Sequence, residues 1–109
     1  MVNHLYRLRS LPIFYQELEE QITYISDKLQ NPQAANDLLA AVETAILERV
    51  DVAGSFEPYH SLKERRYPYY RIYVDNYVIY YVVIEDEGAE QIMEVRRFLY
   101  KGQDREAII

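Results

Sequence analysis

The chain has 109 residues, a net charge of −6 and no cysteine, and a chain of this length forms one compact domain that buries about 65% of its unfolded surface. We therefore predict a single domain over residues 1–109, and the lack of cysteine excludes disulfides, thiolate zinc sites and thiol nucleophiles and favours a cytoplasmic protein. The longest apolar run, from Tyr77 to Ile84, is shorter than the roughly 20 residues of a membrane helix, so no membrane partner is expected.

Basic side chains concentrate in the second half of the chain. Residues 1–59 contain 4 basic and 9 acidic residues, whereas residues 60–109 contain 8 basic and 9 acidic residues. The negative total argues against nonspecific binding of nucleic acid by the whole surface, because neutralising phosphates requires clustered lysine and arginine. Three basic groups stand out in the second half: Lys63/Arg65/Arg66, the isolated Arg71, and Arg96/Arg97 with Lys101 and Arg105.

The first half predicts one strand and two helices. Residues 4–9 alternate as a short strand does. After Pro12, apolar residues recur at steps of three and four, which indicates an amphipathic helix that ends near Asn31. Asn31 and Pro32 then predict an N-cap and the first position of a second helix, so the two helices form an antiparallel hairpin. The buried positions expected are Phe14, Leu18, Ile22, Ile25 and Leu29 in the first helix and Ala35, Leu38, Leu39, Val42, Ile46 and Val50 in the second.

Beyond Pro68 the apolar period changes from helical spacing to two. Residues 69–74, 77–84 and 90–98 are rich in Tyr, Val and Ile and are separated by turn residues, which predicts an antiparallel meander of three strands. Residues 53–68 form a loop of a length that is often functional. The order β-α-α-β-β-β predicts an α+β domain, with an antiparallel sheet whose one face carries the helical hairpin and whose other face is partly open.

Arg71 is the one basic residue among seven tyrosines in residues 67–81. Alternation turns Tyr70, Ile72 and Val74 toward the helices and Arg71 outward. One interpretation is a solvated arginine that stacks on its neighbours. The other is an anion site on the open face, in which tyrosines stack on bases while the guanidinium holds a phosphate.

Two further basic groups flank this meander. Lys63, Arg65 and Arg66 lie in the preceding loop, where they are either solvated charges or phosphate contacts along the sheet edge. The last strand ends in Arg96, Arg97, Tyr100 and Lys101, which is either a frayed strand end or a set of donors beside a tyrosine that acts as general acid or base.

Metal and cofactor sites are not expected. His4 and His60 lack the spacing of metal ligands. The chain has three glycines and contains no phosphate-binding glycine loop and no serine hydrolase motif. We therefore predict no metal and no small-molecule cofactor.

Three strings, in this order, resemble the RelE/ParE superfamily of toxins from bacterial type II toxin–antitoxin systems. They are YISDKLQNPQAANDLLAAV in the hairpin, YPYYRIYVDNYVIYYVV in the meander and EVRRFLYKGQD at its end. The resemblance covers nearly the whole chain and implies a cognate antitoxin as partner. RelE-like and YoeB-like members cleave messenger RNA on the ribosome without a metal, whereas ParE-like members inhibit DNA gyrase and have no known nuclease chemistry.

The resemblance to the nucleases implies roles for individual residues. Glu57 resembles their general base, Tyr100 their near-terminal catalytic tyrosine, and Arg97 the arginine that steadies the scissile phosphate, with Arg71 as a second phosphate ligand. The remaining basic residues implied to contact RNA are Lys63, Arg65, Arg66, Arg96 and Lys101. The predicted function is thus a toxin that acts as a ribosome-dependent endoribonuclease, with ribosome and mRNA as partners.

Two departures from the nuclease pattern keep the alternative open. Val78 stands where the nucleases have an arginine early in the third strand, and Leu99 stands where YoeB-like members have a histidine. Without a guanidinium that stabilises the reacting phosphate, the activation free energy of cleavage rises by on the order of several kcal/mol, because electrostatic stabilisation is often the largest contribution to catalysis. The C-terminal string also resembles the ending of ParE-like chains, so the alternative function is non-catalytic inhibition of DNA gyrase.

Overall fold

The computed structural model describes residues 6–58, 66–85 and 91–103 of the chain. The predicted order β-α-α-β-β-β and the α+β class are confirmed. The elements are β1 (Tyr6–Ser10), α1 (Pro12–Thr23), a π-helical turn (Tyr24–Lys28), α2 (Pro32–Val50), a 3₁₀ turn (Ala53–Ser55), β2 (Tyr70–Val74), β3 (Tyr77–Glu85) and β4 (Gln91–Tyr100).

The start of α2 is fixed by the predicted cap. The Asn31 side-chain oxygen accepts a hydrogen bond of 3.1 Å from the Ala34 backbone N–H, and Pro32 occupies the first helical position. The cap satisfies one of the N–H groups that a helix start leaves without a backbone partner. It therefore sets the point at which the hairpin reverses direction.

We expect Asn31→Ala to destabilise the fold by about 1 kcal/mol, because alanine cannot accept the Ala34 N–H. Urea unfolding followed by circular dichroism measures this change. Asn36→Ala is the matched control, since Asn36 is exposed inside α2 and its replacement should not lower stability. An equal loss in both variants would contradict the capping role.

Leu29 does not belong to the buried stripe, contrary to the prediction. Its side chain is 56% exposed. The backbone N–H of Leu29 donates to the carbonyl of Tyr24, five residues earlier, over 3.1 Å. One extra residue in a helical turn rotates the following side chains by about 100° relative to an α-helix. The π-helical turn thus carries Leu29 out of the core.

The sheet has the strand order β1-β4-β3-β2. The antiparallel pairing of β2 with β3 and of β3 with β4 confirms the predicted meander. The first strand, β1, runs parallel to β4, so the sheet is antiparallel except at this edge strand. The hairpin of α1 and α2 lies between β1 and the meander in the chain, and such a crossover permits parallel pairing.

Both faces of the sheet are buried at their centres. On the helix side, Phe14, Val42 and Phe98 are part of the main core. On the opposite face, which we call the outer face, a second cluster is no more than 6% exposed. It consists of Tyr69, Val78, Tyr80, Val82 and Leu99. The expectation of a partly open face is therefore wrong at its centre, as the near-continuous apolar sequence of β3 explains.

Candidate functional site: the outer face of the sheet

Arg71 and Arg97 lie in one row on the outer face. Residues directly opposite each other on paired strands project to the same face. Arg71 is opposite Tyr80 on β3, and Tyr80 is opposite Arg97 on β4. At the usual strand spacing the two arginine Cα atoms are about 10 Å apart. The predicted phosphate ligands of β2 and β4 therefore share a face.

A β-bulge adds Arg96 to this face. The register shifts between Tyr80, which is opposite Arg97, and Tyr81, which is opposite Val95, so Arg96 is the extra residue. Its guanidinium carbon lies 6.0 Å from the centre of the Tyr69 ring, which belongs to the outer cluster. A bulge breaks strict alternation. Two consecutive arginines consequently point to the same side.

Glu94 joins Arg96 to a third arginine, Arg9 of β1. The Arg9 Nε donates to Glu94 Oε2 over 2.6 Å, and the Arg96 Nε donates to Glu94 Oε1 over 2.8 Å. The Glu94 side chain is 6% exposed. Burial alone would raise the pKa of the Glu94 carboxyl, but the hydrogen bonds and charges of Arg96 and Arg9 lower it below its usual value. Sequence reasoning missed both Arg9 and Glu94.

Arg97 forms an ion pair with Glu17 of α1. The guanidinium donates from Nε over 2.9 Å and from Nη2 over 2.6 Å to the two carboxylate oxygens. Glu17 Oε1 also accepts the backbone N–H of Phe98 over 3.0 Å. The hydrogen bond to Glu17 raises the pKa of the Arg97 guanidinium, although burial acts in the opposite direction. Arg97 thus fastens α1 to the part of β4 that extends beyond β1.

Tyr100 lies on the helix side of the sheet. It is opposite Tyr77, and the two ring centres are 5.9 Å apart. The Tyr77 hydroxyl donates to the side chain of Gln21 on α1 over 3.0 Å, which identifies this side. The structure therefore separates Tyr100 from Arg71, whereas the Arg97 guanidinium is held by Glu17, one turn of α1 from the Gln21 that binds Tyr77.

Glu57 is exposed and lies near the other end of the helix side. The preceding residue, Phe56, packs its ring 3.6 Å from the guanidinium carbon of Arg49. Arg49 donates to the Tyr81 hydroxyl over 3.1 Å and to the Arg71 carbonyl over 3.2 Å. Tyr81 is four residues, or about 13 Å, along β3 from Tyr77, the partner of Tyr100. Glu57 and Tyr100 consequently do not form one site.

The other predicted nucleic-acid contacts are spread over the molecule. Arg66 is exposed, with its guanidinium carbon 5.3 Å from the Tyr67 ring centre. Lys101 is exposed in the turn after β4. The Arg71 guanidinium carbon lies 5.7 Å from the Tyr73 ring centre, which matches the stacked arginine that we considered as one interpretation. Lys63 and Arg65 lie outside the described residues.

Charge is divided between the two layers. Residues 12–50, which form the helical layer, contain seven acidic and two basic residues. The four strands contain five arginines and two glutamates. Register assigns the positions of four of the arginines to the outer face, and the contact with the Tyr69 ring assigns Arg96 to it. The sheet is therefore a positively charged layer within a chain of net charge −6. The arginines are Arg7, Arg9, Arg71, Arg96 and Arg97.

The order of elements and the sheet topology agree with a known toxin family. The family model described as "ParE toxin of type II toxin-antitoxin system, parDE" matches residues 8–104. The chain belongs to this ParE toxin family. The match spans the toxin from β1 to the turn after β4, so every strand that forms the outer face lies within it. A comparison with curated proteins finds no match.

Membership in the family implies a cognate antitoxin as the partner of this toxin. Within residues 6–58, 66–85 and 91–103, no three His, Cys, Asp or Glu side chains are grouped to hold a metal ion. Among the helices of the same residues, none is long and apolar enough to cross a membrane.

Proposed function

We propose that this ParE-family toxin arrests growth by binding its target rather than by cutting RNA, and that the target is DNA gyrase. The observation that carries the proposal is the separation of the candidate catalytic residues. Arg71 lies on the outer face, the Arg97 guanidinium is bound to Glu17 of α1, Tyr100 lies on the helix side, and Glu57 lies near the opposite end of that side. General acid–base catalysis requires groups within hydrogen-bond reach of one reacting centre.

Substrate binding tightens loose contacts in many active sites, but it does not remove this separation. Side chains on opposite faces of a strand are divided by the backbone of the sheet itself. Bringing Tyr100 to the outer face would require a one-residue slip of β4 against β3, which would also invert the buried residues Phe98 and Leu99. Such a slip is unfavourable, because it moves buried apolar side chains of β4 to the wrong face of the sheet.

The engagement of Arg97 is a second argument against cleavage. Its Nε and Nη2 atoms already bind both oxygens of Glu17. Stabilising a phosphate transition state depends on donors that are oriented toward the developing charge. Because these two Arg97 donors already bind a carboxylate, Arg97 is better suited to a structural role.

The ribonuclease alternative has one favourable observation. Arg71 and Arg96 both lie on the outer face of the sheet. This arrangement supports binding of an anion, which cleavage also requires. Neither Glu57 nor Tyr100, the predicted general base and acid, lies beside these arginines. Cleavage is therefore the outcome that the experiment must exclude.

The proposal is tested with purified toxin in two assays. We expect the toxin to inhibit supercoiling by gyrase at concentrations that leave relaxation by a type I topoisomerase unchanged. In a translation extract, primer extension should show intact message at the same concentrations. Unaffected gyrase at excess toxin would refute the proposed target, and new message ends within the ribosomal A site would establish the ribonuclease instead.

A further inference from the structure

We propose that Arg9, Glu94 and Arg96 form a phosphate clamp with which the toxin binds the backbone of a nucleic acid. This inference goes beyond the proposed inhibition of gyrase and does not depend on it. The three residues come from β1 and β4 and meet on the outer face because Arg9 is directly opposite Glu94 in the parallel pair.

The clamp is held in a fixed geometry by one buried carboxylate. Glu94 binds Arg9 and Arg96 through a different oxygen for each, and both arginines use their Nε atoms. The terminal nitrogens of Arg9 have no partner among the described residues, and half of its side-chain surface is exposed. A guanidinium that is oriented before binding loses less conformational entropy when it binds an oxyanion. Glu94 therefore positions the two cations, and the Arg96 side chain is also hydrogen-bonded to Tyr69. The terminal N–H groups of Arg9 are the ones that contact the ligand first.

The charge of the clamp favours an anion. Two guanidinium groups share one carboxylate, so the cluster carries a net positive charge around a buried carboxylate. Arg7 and Arg71 extend the positive surface on the same face, toward the sheet edges. Like charges in partly buried sites repel each other, and a bound anion relieves that repulsion. Such a surface attracts polyanions despite the negative total of the chain.

Aromatic side chains at the far edge of the outer face favour a nucleic acid over an acidic polypeptide. Tyr73 lies on the outer face opposite Val78, is 53% exposed, and is paired with the Arg71 guanidinium. Arg66 and Tyr67 form another arginine–tyrosine pair ahead of β2, in which Tyr67 is half-buried against the outer cluster. An exposed ring beside an arginine can stack on a nucleobase. An acidic peptide binds through its carboxylates, which pair with the guanidinium groups and make no use of the ring. The combination of a phosphate clamp with the exposed Tyr73 on the same face fits a ligand that has both phosphates and bases.

Fluorescence anisotropy tests the clamp with full-length toxin and labelled oligonucleotides of one sequence, as duplex DNA, single-stranded DNA and single-stranded RNA. We expect binding that weakens steeply between about 50 and about 200 mM salt. Arg9→Ala and Arg96→Ala should each lower the slope of log K against log salt by about 1 and weaken binding several-fold. The tightest of the three oligonucleotides identifies the ligand.

Lys28→Ala is the matched control, because it removes one positive charge from an exposed residue of the helical hairpin. It should leave affinity and salt slope unchanged. Thermal melting checks that each variant is folded, and Arg9→Ala decides the result if Arg96→Ala is unfolded, since Arg9 is half-exposed.

Three outcomes would overturn the inference. They are absence of binding at low salt, equal weakening by Lys28→Ala, and displacement of the oligonucleotide by polyglutamate at equal charge concentration, which would assign the face to an acidic polypeptide. The supercoiling assay is independent of these results. Intact nucleic-acid binding by a toxin that leaves gyrase unaffected would refute the proposed target and support the clamp.

Discussion

Replacing Glu94 with alanine should destabilise the toxin by about 3 kcal/mol, which is among the largest effects expected for a single substitution. The buried carboxylate binds both Arg9 and Arg96, and its removal leaves two cations without their partner. The figure is at the lower end for broken buried ion pairs because Arg9 is half-exposed and can be hydrated. Urea unfolding of both proteins at neutral pH measures the difference.

The controls separate the ion pairs from general effects of losing a glutamate. Glu19→Ala, at an exposed position of α1, should change stability by less than about 0.5 kcal/mol. Glu94→Gln keeps the side-chain shape but removes the charge, and it should also destabilise. A Glu94→Ala protein as stable as the Glu19→Ala protein would contradict the role assigned to Glu94.

The effect of Glu94 should depend on pH. The folded-state pKa of its carboxyl lies below the ordinary value of 4.5, so its contribution to stability is fully present above that value. The contribution is lost as pH falls through the folded-state pKa. The stability difference between wild-type and Glu94→Ala toxin should therefore shrink in acid, and a difference that grows below pH 4.5 would contradict the direction of the shift.

Replacing Glu17 with alanine should also cost about 3 kcal/mol. Glu17 binds the Arg97 guanidinium through both oxygens and accepts the Phe98 N–H. Alanine leaves the partly buried Arg97 guanidinium and the Phe98 N–H without an acceptor. Both groups lie on the part of β4 that extends beyond β1 and that α1 covers. Urea unfolding measures the loss, and hydrogen exchange should show weaker protection at Phe98.

Two variants on the same helix test this explanation. Glu17→Gln still accepts a hydrogen bond from Phe98 but lacks the charge, so its stability should be intermediate. Glu20→Ala removes an exposed carboxylate from α1 and should have little effect. If Glu17→Ala and Glu20→Ala unfold at the same urea concentration, Glu17 does not fasten the helix to the sheet.

Local patterns were sufficient to predict much of the fold. The period-two alternation of β2 correctly turned Ile72 and Val74 toward the helices, where both are buried. The Asn31-Pro32 pair correctly marked the start of α2. These features depend on interactions between residues close in the chain, which leave their signature in the sequence.

Features that depend on distant pairing could not be predicted in this way. Arg9 meets Glu94 only because β1 pairs in parallel with β4, and the two residues are 85 positions apart. No turn sequence specifies that register. The bulge at Arg96 likewise contains no glycine that would have indicated it in the sequence. The cluster of Arg9, Glu94 and Arg96 was therefore missed, although the first strand itself was predicted.

One conflict within the predicted site was already visible in the sequence. Arg97 and Tyr100 are three positions apart, and residues separated by an odd number fall on opposite faces of a regular strand. Their assignment to one catalytic centre came from the resemblance to nucleases and conflicted with the strand geometry. The same geometry now supports binding as the mode of action.

The double variant Glu57→Ala/Tyr100→Phe tests the central claim most directly, because it removes both candidate acid–base groups and leaves the outer face intact. Growth after induction is measured together with the amount of folded toxin in the cells. Arrest as strong as that caused by the wild-type toxin is the predicted result. Normal growth in cells that contain the folded variant at the wild-type level would contradict a non-catalytic mode of action.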